Sequence, residues 1–134
     1  MKHFFIAYRH TGEDIMELEK RIRTVETAMT TKDVKVYATL FDEESFQAEH
    51  KSAGQIMESA FQKIAAMDGL FVLIMGDAKS EGQLMEVGFA YALKKPIIVA
   101  VHNSANTYVH ELATHSITFD DLADLSTKIM GLEL

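Results

Sequence analysis

The sequence contains no cysteine and no tryptophan, and its 134 residues include a single proline and seven glycines. Without cysteine the chain forms no disulfide and offers no thiolate to a zinc ion. No apolar run approaches the ~20 residues that a membrane-spanning helix needs. The first residues lead straight into a strand-like segment and lack the apolar stretch and cleavage site of a secretory signal. We therefore expect a cytoplasmic protein with no membrane partner.

Basic residues are scarce as well, since 13 lysines and arginines stand against 20 aspartates and glutamates and give a formal net charge of −7. Nucleic-acid-binding domains usually carry a basic surface, so no nucleic-acid partner is expected. The glycines form neither a GxGxxG motif nor a P-loop, which argues against ordinary dinucleotide and triphosphate sites. The six histidines lack HExxH or comparable spacing, and neither a metal nor a cofactor is predicted.

Apolar residues make up 48% of the chain and charged residues 25%, which is typical of one soluble globular domain spanning residues 1–134. Short apolar runs alternate with segments whose apolar residues recur at three- and four-residue steps. This pattern predicts strands at 3–8, 34–40, 69–75, 97–101 and 116–119. It predicts helices at 12–29, 52–67, 82–93, 107–113 and 122–130, with a loop over 41–51.

The order of these elements indicates the fold, because strands that alternate with helices form right-handed βαβ units and a parallel sheet. Five strands and five helices suggest an α/β flavodoxin-like or Rossmann-like three-layer sandwich with strand order 2-1-3-4-5. Ligands of such sheets bind beyond the carboxyl ends of the strands. Polar clusters follow the first, third and fourth strands, at 8–11, 77–81 and 102–103, and we expect them at one edge of the sheet.

One acidic residue stands apart from its neighbours. Glu86 is the only charged residue between Glu81 and Lys94, in a segment that is nearly all apolar. A carboxylate in an apolar helix is costly to desolvate unless it is paired or takes part in chemistry. The pattern therefore indicates either a functional carboxylate or a glutamate on the one solvated side of the helix.

The segment from Ser80 to Ile98 resembles the motif of the nucleoside 2-deoxyribosyltransferase superfamily. Members carry a small polar or acidic residue, a glycine two positions later, then Glu-x-Gly-x-Ala, followed by Lys-Pro and an apolar strand. The matching residues are Ser80, Gly82, Glu86, Gly88, Ala90, Lys95 and Pro96. The resemblance implies that Glu86 is catalytic: it attacks the sugar C1′ and forms a covalent glycosyl–enzyme intermediate, from which water or a second base takes the sugar.

The resemblance also implies that the small-molecule partner is a nucleoside or a nucleotide. Ser80 stands where transferases of free nucleosides often have aspartate. Serine at this position resembles the branch of 2′-deoxynucleoside 5′-phosphate N-hydrolases, where it helps to hold the phosphate. A hydroxyl at a helix N-terminus suits an anion, and Ser80 is equally suited to capping that helix.

Four further residues complete the predicted substrate-binding set. Gly82 belongs to the motif itself, and Asp77 ends the third strand. Tyr8 and Arg9 follow the first strand, where members often have a glycine-rich turn that this chain lacks. The guanidinium of Arg9 offers a bidentate contact to an anion, although the same pattern fits an ordinary surface arginine.

A second family gives an alternative. The segment from Phe5 to Asp14 resembles the opening of a TIR domain, and TIR enzymes of comparable fold cleave the nicotinamide glycosidic bond of NAD with a helix glutamate. Their motif before that glutamate usually contains Trp-Cys, and this chain has neither residue. A TIR-like NADase or interaction module therefore ranks second, and a catalytically idle nucleotide-binding protein ranks third.

The chain is also expected to form a homo-oligomer, at least a dimer. The predicted helix is apolar almost throughout residues 84–93. In the family that the motif resembles, a neighbouring subunit often completes the site.

Overall fold

The computed structural model describes all residues from 1 to 134 and contains one sheet of five parallel strands. The strands are β1 (Lys2–Ala7), β2 (Val34–Tyr37), β3 (Gly69–Ile74), β4 (Ile97–His102) and β5 (His115–Phe119). They lie in the order β2-β1-β3-β4-β5. The helices are α1 (Ile15–Thr30), α2 (Glu43–Ala48), α3 (Ala53–Ala66), α4 (Glu81–Ala92) and α5 (Leu122–Met130). The predicted α/β architecture and strand order are confirmed.

Helices cover both faces of the sheet and form two apolar cores. The core under α1 and α5 includes Phe4, Ile6, Ile22, Phe71 and Phe119. The core under α3 and α4 includes Phe5, Ile64, Leu70, Val72 and Val99. All six residues of β3 are buried, because a central parallel strand has a helix layer on each side. This explains why β3 appears in the sequence as an unbroken apolar run.

Four of the five helices begin with a side-chain cap. The caps are Asp14, Ser52, Ser80 and Asp121, and each accepts a hydrogen bond from the backbone N–H three residues later. Such a bond satisfies one of the free N–H groups of the first turn. Helix α2 has no side-chain cap and no buried residue. None of the helices is both long and apolar enough to cross a membrane.

The structure corrects several predicted boundaries. Residues 41–51 are not a loop, since a 3-10 helix at Thr39–Asp42 and helix α2 occupy most of the segment. Neither element buries a residue, so no apolar period marks them in the sequence. Strand β2 ends at Tyr37 rather than at residue 40, because the chain turns into that 3-10 helix. The helix predicted at 107–113 is reduced to a 3-10 turn at Val109–Leu112.

Helix α4 is also less buried than its composition predicted. Its buried residues are Gln83, Glu86, Val87 and Ala90. The outward residues Leu84, Met85 and Tyr91 are 44%, 48% and 56% exposed. The helix packs on the sheet with one face only, and its apolar outer face remains open.

Candidate active site

A cleft of about 1020 Å³ lies at the carboxyl ends of the strands, where the segments that follow β1, β2 and β3 meet. Residues 8–11 after β1 form one wall, and the segment from Thr39 to Lys51 forms the wall opposite α4. The first turns of α3 and residues 79–83, 85 and 86 complete the cleft. Its position agrees with the general rule that ligands of parallel α/β sheets bind beyond the carboxyl ends of the strands.

Glu86 lies in the second turn of α4 and lines this cleft. Only 8% of the residue is exposed. Burial alone raises the pKa of its carboxyl group from an ordinary value of 4.5 to about 8, because the charged form loses its hydration. A carboxylic acid that is mostly neutral at pH 7, in a cleft and without an ion-pair partner, is a candidate catalytic group.

Gln83 fixes the position of the helix that carries Glu86. Its side-chain amide donates hydrogen bonds to the carbonyl of Ala7 at 3.1 Å and to the carbonyl of Leu73 at 2.8 Å. These carbonyls lie at the ends of β1 and β3, so one side chain joins α4 to two neighbouring strands. Because Gln83 and Glu86 are three residues apart, they lie on nearly the same face of the helix.

Tyr8 lines the cleft beside Glu86. Its ring is buried, and its hydroxyl forms a hydrogen bond of 2.9 Å with the hydroxyl of Thr39. Burial is the main cause that raises the pKa of Tyr8 to about 12, and the nearby charges of Glu43 and Glu86 raise it further. The phenol therefore stays protonated at neutral pH and provides a hydroxyl group between two carboxyl groups.

Arg9 also lines the cleft, but its charge already has a partner. Its guanidinium lies 2.9 Å from the carboxylate of Glu13, which contacts Arg21 at 3.3 Å on its other oxygen. This arrangement holds the guanidinium in place and lowers its net attraction for a further anion.

The other predicted residues divide between the cleft and its surroundings. Ser80 and Gly82 both line the cleft. Ser80 caps α4 by accepting a hydrogen bond from the N–H of Gln83 at 3.2 Å, and its own O–H remains free to donate. Asp77 is exposed and lies outside the cleft lining, where its carboxylate accepts a hydrogen bond from the backbone N–H of Asn106 at 2.6 Å.

The third polar cluster does not join the other two. The ring of His102 contacts the hydroxyl of Ser104 and the carbonyl of Asp120, each at 2.7 Å, and Asn103 bonds the side chain of Asp120. These contacts tie the end of β4 to the segment after β5. The three clusters lie at one edge of the parallel sheet, as expected, but the third does not line the cleft. No three histidine, aspartate or glutamate side chains converge as a group that would hold a metal ion.

Two parts of the site were missed in the sequence. Gln83 is the only residue with an amide side chain between Gly82 and Leu93. An amide in so apolar a helix indicates a buried hydrogen-bonding role. The wall from Thr39 to Lys51 left no such signal, because its polar residues resemble those of any surface loop.

The raised pKa of Glu86 predicts a change in stability with pH. The folded chain holds this proton more tightly than the unfolded chain, so the free energy of unfolding should fall as pH rises from about 4.5 to about 8. Glu86→Gln cannot ionise and should escape this loss, about 1.4 kcal/mol for each unit of pKa shift. In urea unfolding at pH 5, 6.5 and 8.5, the free energy of unfolding of the variant should increase relative to that of the wild type as pH rises. Glu58→Gln, an exposed change on α3, should show no such gain, and a constant difference for Glu86→Gln would contradict the raised pKa.

Comparison with known proteins agrees with this geometry. The family model described as nucleoside 2-deoxyribosyltransferase matches residues 10–126. The fold is similar to the CMP N-glycosidase of Clostridium botulinum, with a TM-score of 0.69 and 21% identity over 96% of this chain and 98% of that one. It is also similar to the 2-deoxyribosyltransferase of Bacillus psychrosaccharolyticus, with a TM-score of 0.70 and 16% identity over 98% and 93% of the two chains.

A conserved protein of Enterococcus faecalis has the same fold, with a TM-score of 0.62 and 17% identity over 95% of this chain and 97% of that one. No curated protein matches the chain in sequence. The structural matches, all below 25% identity, establish the fold. The family model covers most of the chain, including the whole motif around Glu86, and the chain therefore belongs to the nucleoside 2-deoxyribosyltransferase family.

Proposed function

We propose that the chain is an enzyme that cleaves the N-glycosidic bond of a nucleoside or nucleotide, with Glu86 as the nucleophile. The observation that carries this proposal is the position of Glu86, a buried carboxyl group in a large cleft with a pKa raised to about 8 by burial alone. A buried glutamate with only a structural role would be expected to have an ion-pair or hydrogen-bonding partner, because an unpaired buried polar group destabilises the fold.

The chemistry follows from that environment. The reacting form is the ionised carboxylate, so Glu86 first loses its proton to solvent. An oxygen of this carboxylate bonds to C1′ of the sugar, while the bond from C1′ to the base breaks and its electron pair leaves with the base. The sugar carries positive charge in the transition state, and a poorly hydrated carboxylate next to it stabilises that charge strongly. Water or a second base then releases the sugar from Glu86. The named neighbours include a glycosidase that acts on CMP and a deoxyribosyltransferase, so both outcomes have a precedent in this fold.

Incubation with a substrate panel tests the reaction class. We expect the wild-type chain to release free base from 2′-deoxynucleosides, from their 5′-monophosphates or from CMP, measured by chromatography. NAD belongs in the panel, because its cleavage without release of base from the other substrates would favour the TIR-like alternative. Glu86→Gln keeps the shape of the side chain but removes the nucleophile, so its turnover should fall by about 10³-fold or more. Glu58→Gln is the matched control, and near wild-type turnover in folded Glu86→Gln would exclude the mechanism.

We further propose that a 5′-monophosphate is preferred over the matching free nucleoside. Ser80 lies at the N-terminus of α4 with an O–H free to donate, and Arg9 lies on the wall formed by the segment after β1. Repulsion from a net charge of −7 is screened within about 8–10 Å at physiological salt. A charge-assisted hydrogen bond contributes about 1.5–3 kcal/mol at contact distance, so the local contacts should dominate.

Two substitutions at Ser80 separate charge from capping. The wild type should favour the monophosphate by about tenfold or more in kcat/KM. Ser80→Asp still caps α4 but adds a negative charge, so it should reduce or reverse the preference. Ser80→Asn caps α4 equally well without adding a charge, so it should keep most of the preference for the monophosphate. Equal kcat/KM for the two substrates in the wild type would contradict the proposed phosphate contact.

We also propose that the chain dimerises through the outer face of α4. Leu84, Met85 and Tyr91 are exposed there, and no charged residue other than the inward Glu86 lies between Glu81 and Lys94. A twofold axis would place this uncharged apolar face against its own copy, and cyclic dimers are the commonest homo-oligomers.

Light scattering at micromolar concentration tests the dimer. We expect twice the chain mass of 15.0 kDa for the wild type, and a shift toward the monomer for Tyr91→Glu, which would bury a charge at the interface. Met16→Glu introduces the same charge at an exposed methionine on α1, on the other side of the sheet, and should remain dimeric. A wild-type mass of 15.0 kDa would exclude the dimer.

A further inference from the structure

A second carboxyl group lies across the cleft from Glu86. Glu43 begins helix α2 and lines the wall opposite α4. Both Glu43 and Glu86 raise the pKa of the Tyr8 hydroxyl, which places both carboxyl groups near the same phenol. The cleft therefore holds two carboxyl groups on opposite walls, with a protonated hydroxyl close to each.

Glu43 is also held by a histidine. Nε2 of His10 lies 3.3 Å from a carboxylate oxygen of Glu43. That nitrogen is buried and has no hydrogen-bond partner of good geometry, while about a third of the Glu43 side chain is exposed. His10 and Glu43 both line the cleft, so the imidazole contacts the carboxyl group from one side and leaves part of it open to the space that a substrate would occupy.

No other carboxylate is placed for the same role. Glu81 is exposed in the first turn of α4, on the same wall as Glu86. Asp77 lies outside the cleft lining and accepts the hydrogen bond from Asn106. Cleavage with a carboxylate nucleophile generally uses a second carboxyl group on the other side of the scissile bond, which transfers the proton.

We propose that Glu43 is the acid–base residue of the reaction and that His10 is its positioning residue. The inference rests on the proposed N-glycosidic cleavage. In the first step a proton on the Glu43 carboxyl group passes to a ring nitrogen of the base. The electron pair of the bond to C1′ stays with the base, and an oxygen of Glu86 bonds to C1′.

The second step reverses these roles in hydrolysis. The oxygen of a water molecule bonds to C1′, and the ester bond to Glu86 breaks with its electron pair returning to that carboxylate. One proton of the water passes to Glu43, which restores the starting state. Each proton and electron pair is accounted for without a further reactant.

Leaving-group chemistry distinguishes this role from a structural one. A guanine methylated at N7 leaves as a neutral base without receiving a proton, so its release does not need an acid. We would measure kcat/KM for the 5′-monophosphates of guanosine and 2′-deoxyguanosine and for their N7-methylated forms, after subtraction of the reaction without enzyme. Glu43→Gln should lower the value for the unmethylated substrates by about 10²–10⁴-fold and for the methylated ones by less than about tenfold.

Two further variants test the positioning role of His10 and control for substitutions in α2. His10→Gln should lower the same unmethylated values by a smaller factor, because it displaces Glu43 without removing the carboxyl group. Glu44→Gln is the matched control, since Glu44 is exposed on the same helix and does not line the cleft. Circular dichroism and thermal unfolding check that Glu43→Gln is folded.

The results distinguish a failure of the acid–base proposal from a failure of the proposed nucleophile. An equal loss of Glu43→Gln activity on methylated and unmethylated substrates would show a structural role, and wild-type activity on both would show no role; either result overturns this proposal alone. Glu86→Gln should lose activity on all four substrates, and full activity there would overturn the proposed nucleophile instead. A wild type that releases no base from these four substrates, from the other nucleosides and monophosphates or from CMP would overturn both proposals.

Discussion

The site depends on the two hydrogen bonds that the Gln83 amide donates to the carbonyls of Ala7 and Leu73. These carbonyls belong to the last residue of β1 and the next-to-last residue of β3. One side chain bonds to both and, in doing so, anchors the start of α4 to the centre of the sheet. Removing that amide would remove both bonds, and a hydrogen bond of this kind contributes about 0.5–1.5 kcal/mol to stability.

The position of Glu86 follows from this anchor. The strand ends are rigid because β3 is buried on both faces, and the helix is tied to them one turn before the glutamate. The carboxyl group is therefore carried below the surface into a region of low polarity, where burial raises its pKa. The raised pKa follows from the placement of the helix, and no neighbouring charge is needed to produce it.

The sequence predicted the sheet and the strand order because each leaves a periodic or compositional trace. The pattern also singled out Glu86, but it left open whether the side chain is functional or faces solvent. Buried strands appear as continuous apolar runs, and Glu86 is conspicuous because its neighbours are apolar. The wall from Thr39 to Lys51 could not be predicted in the same way, since its helix buries nothing and its polar residues are brought to the cleft by tertiary contacts alone. The contact of Asp77 could not be predicted either: Asp77 follows a strand end, but its carboxylate accepts a hydrogen bond from the backbone N–H of Asn106, which is distant in sequence.

The packing of α4 could not be predicted from its apolar pattern. Composition alone does not distinguish a helix covered on all sides from one that packs with a single face, and only the orientation of Gln83 and Glu86 reveals which face is inward. The number of exposed apolar residues on the outer face is a property of the assembled layers, which a single sequence does not specify.

The lack of buried residues in α2 has a consequence for how this family diversifies. Glu86 belongs to a helix whose position is fixed by the core, whereas α2 buries no residue and only Leu40 and Phe41 before it pack against the core. Substitutions in α2 should therefore alter the shape and polarity of that wall at little cost in folding stability. Sequence change can then remodel one wall of the cleft while α4 and Glu86 keep their places.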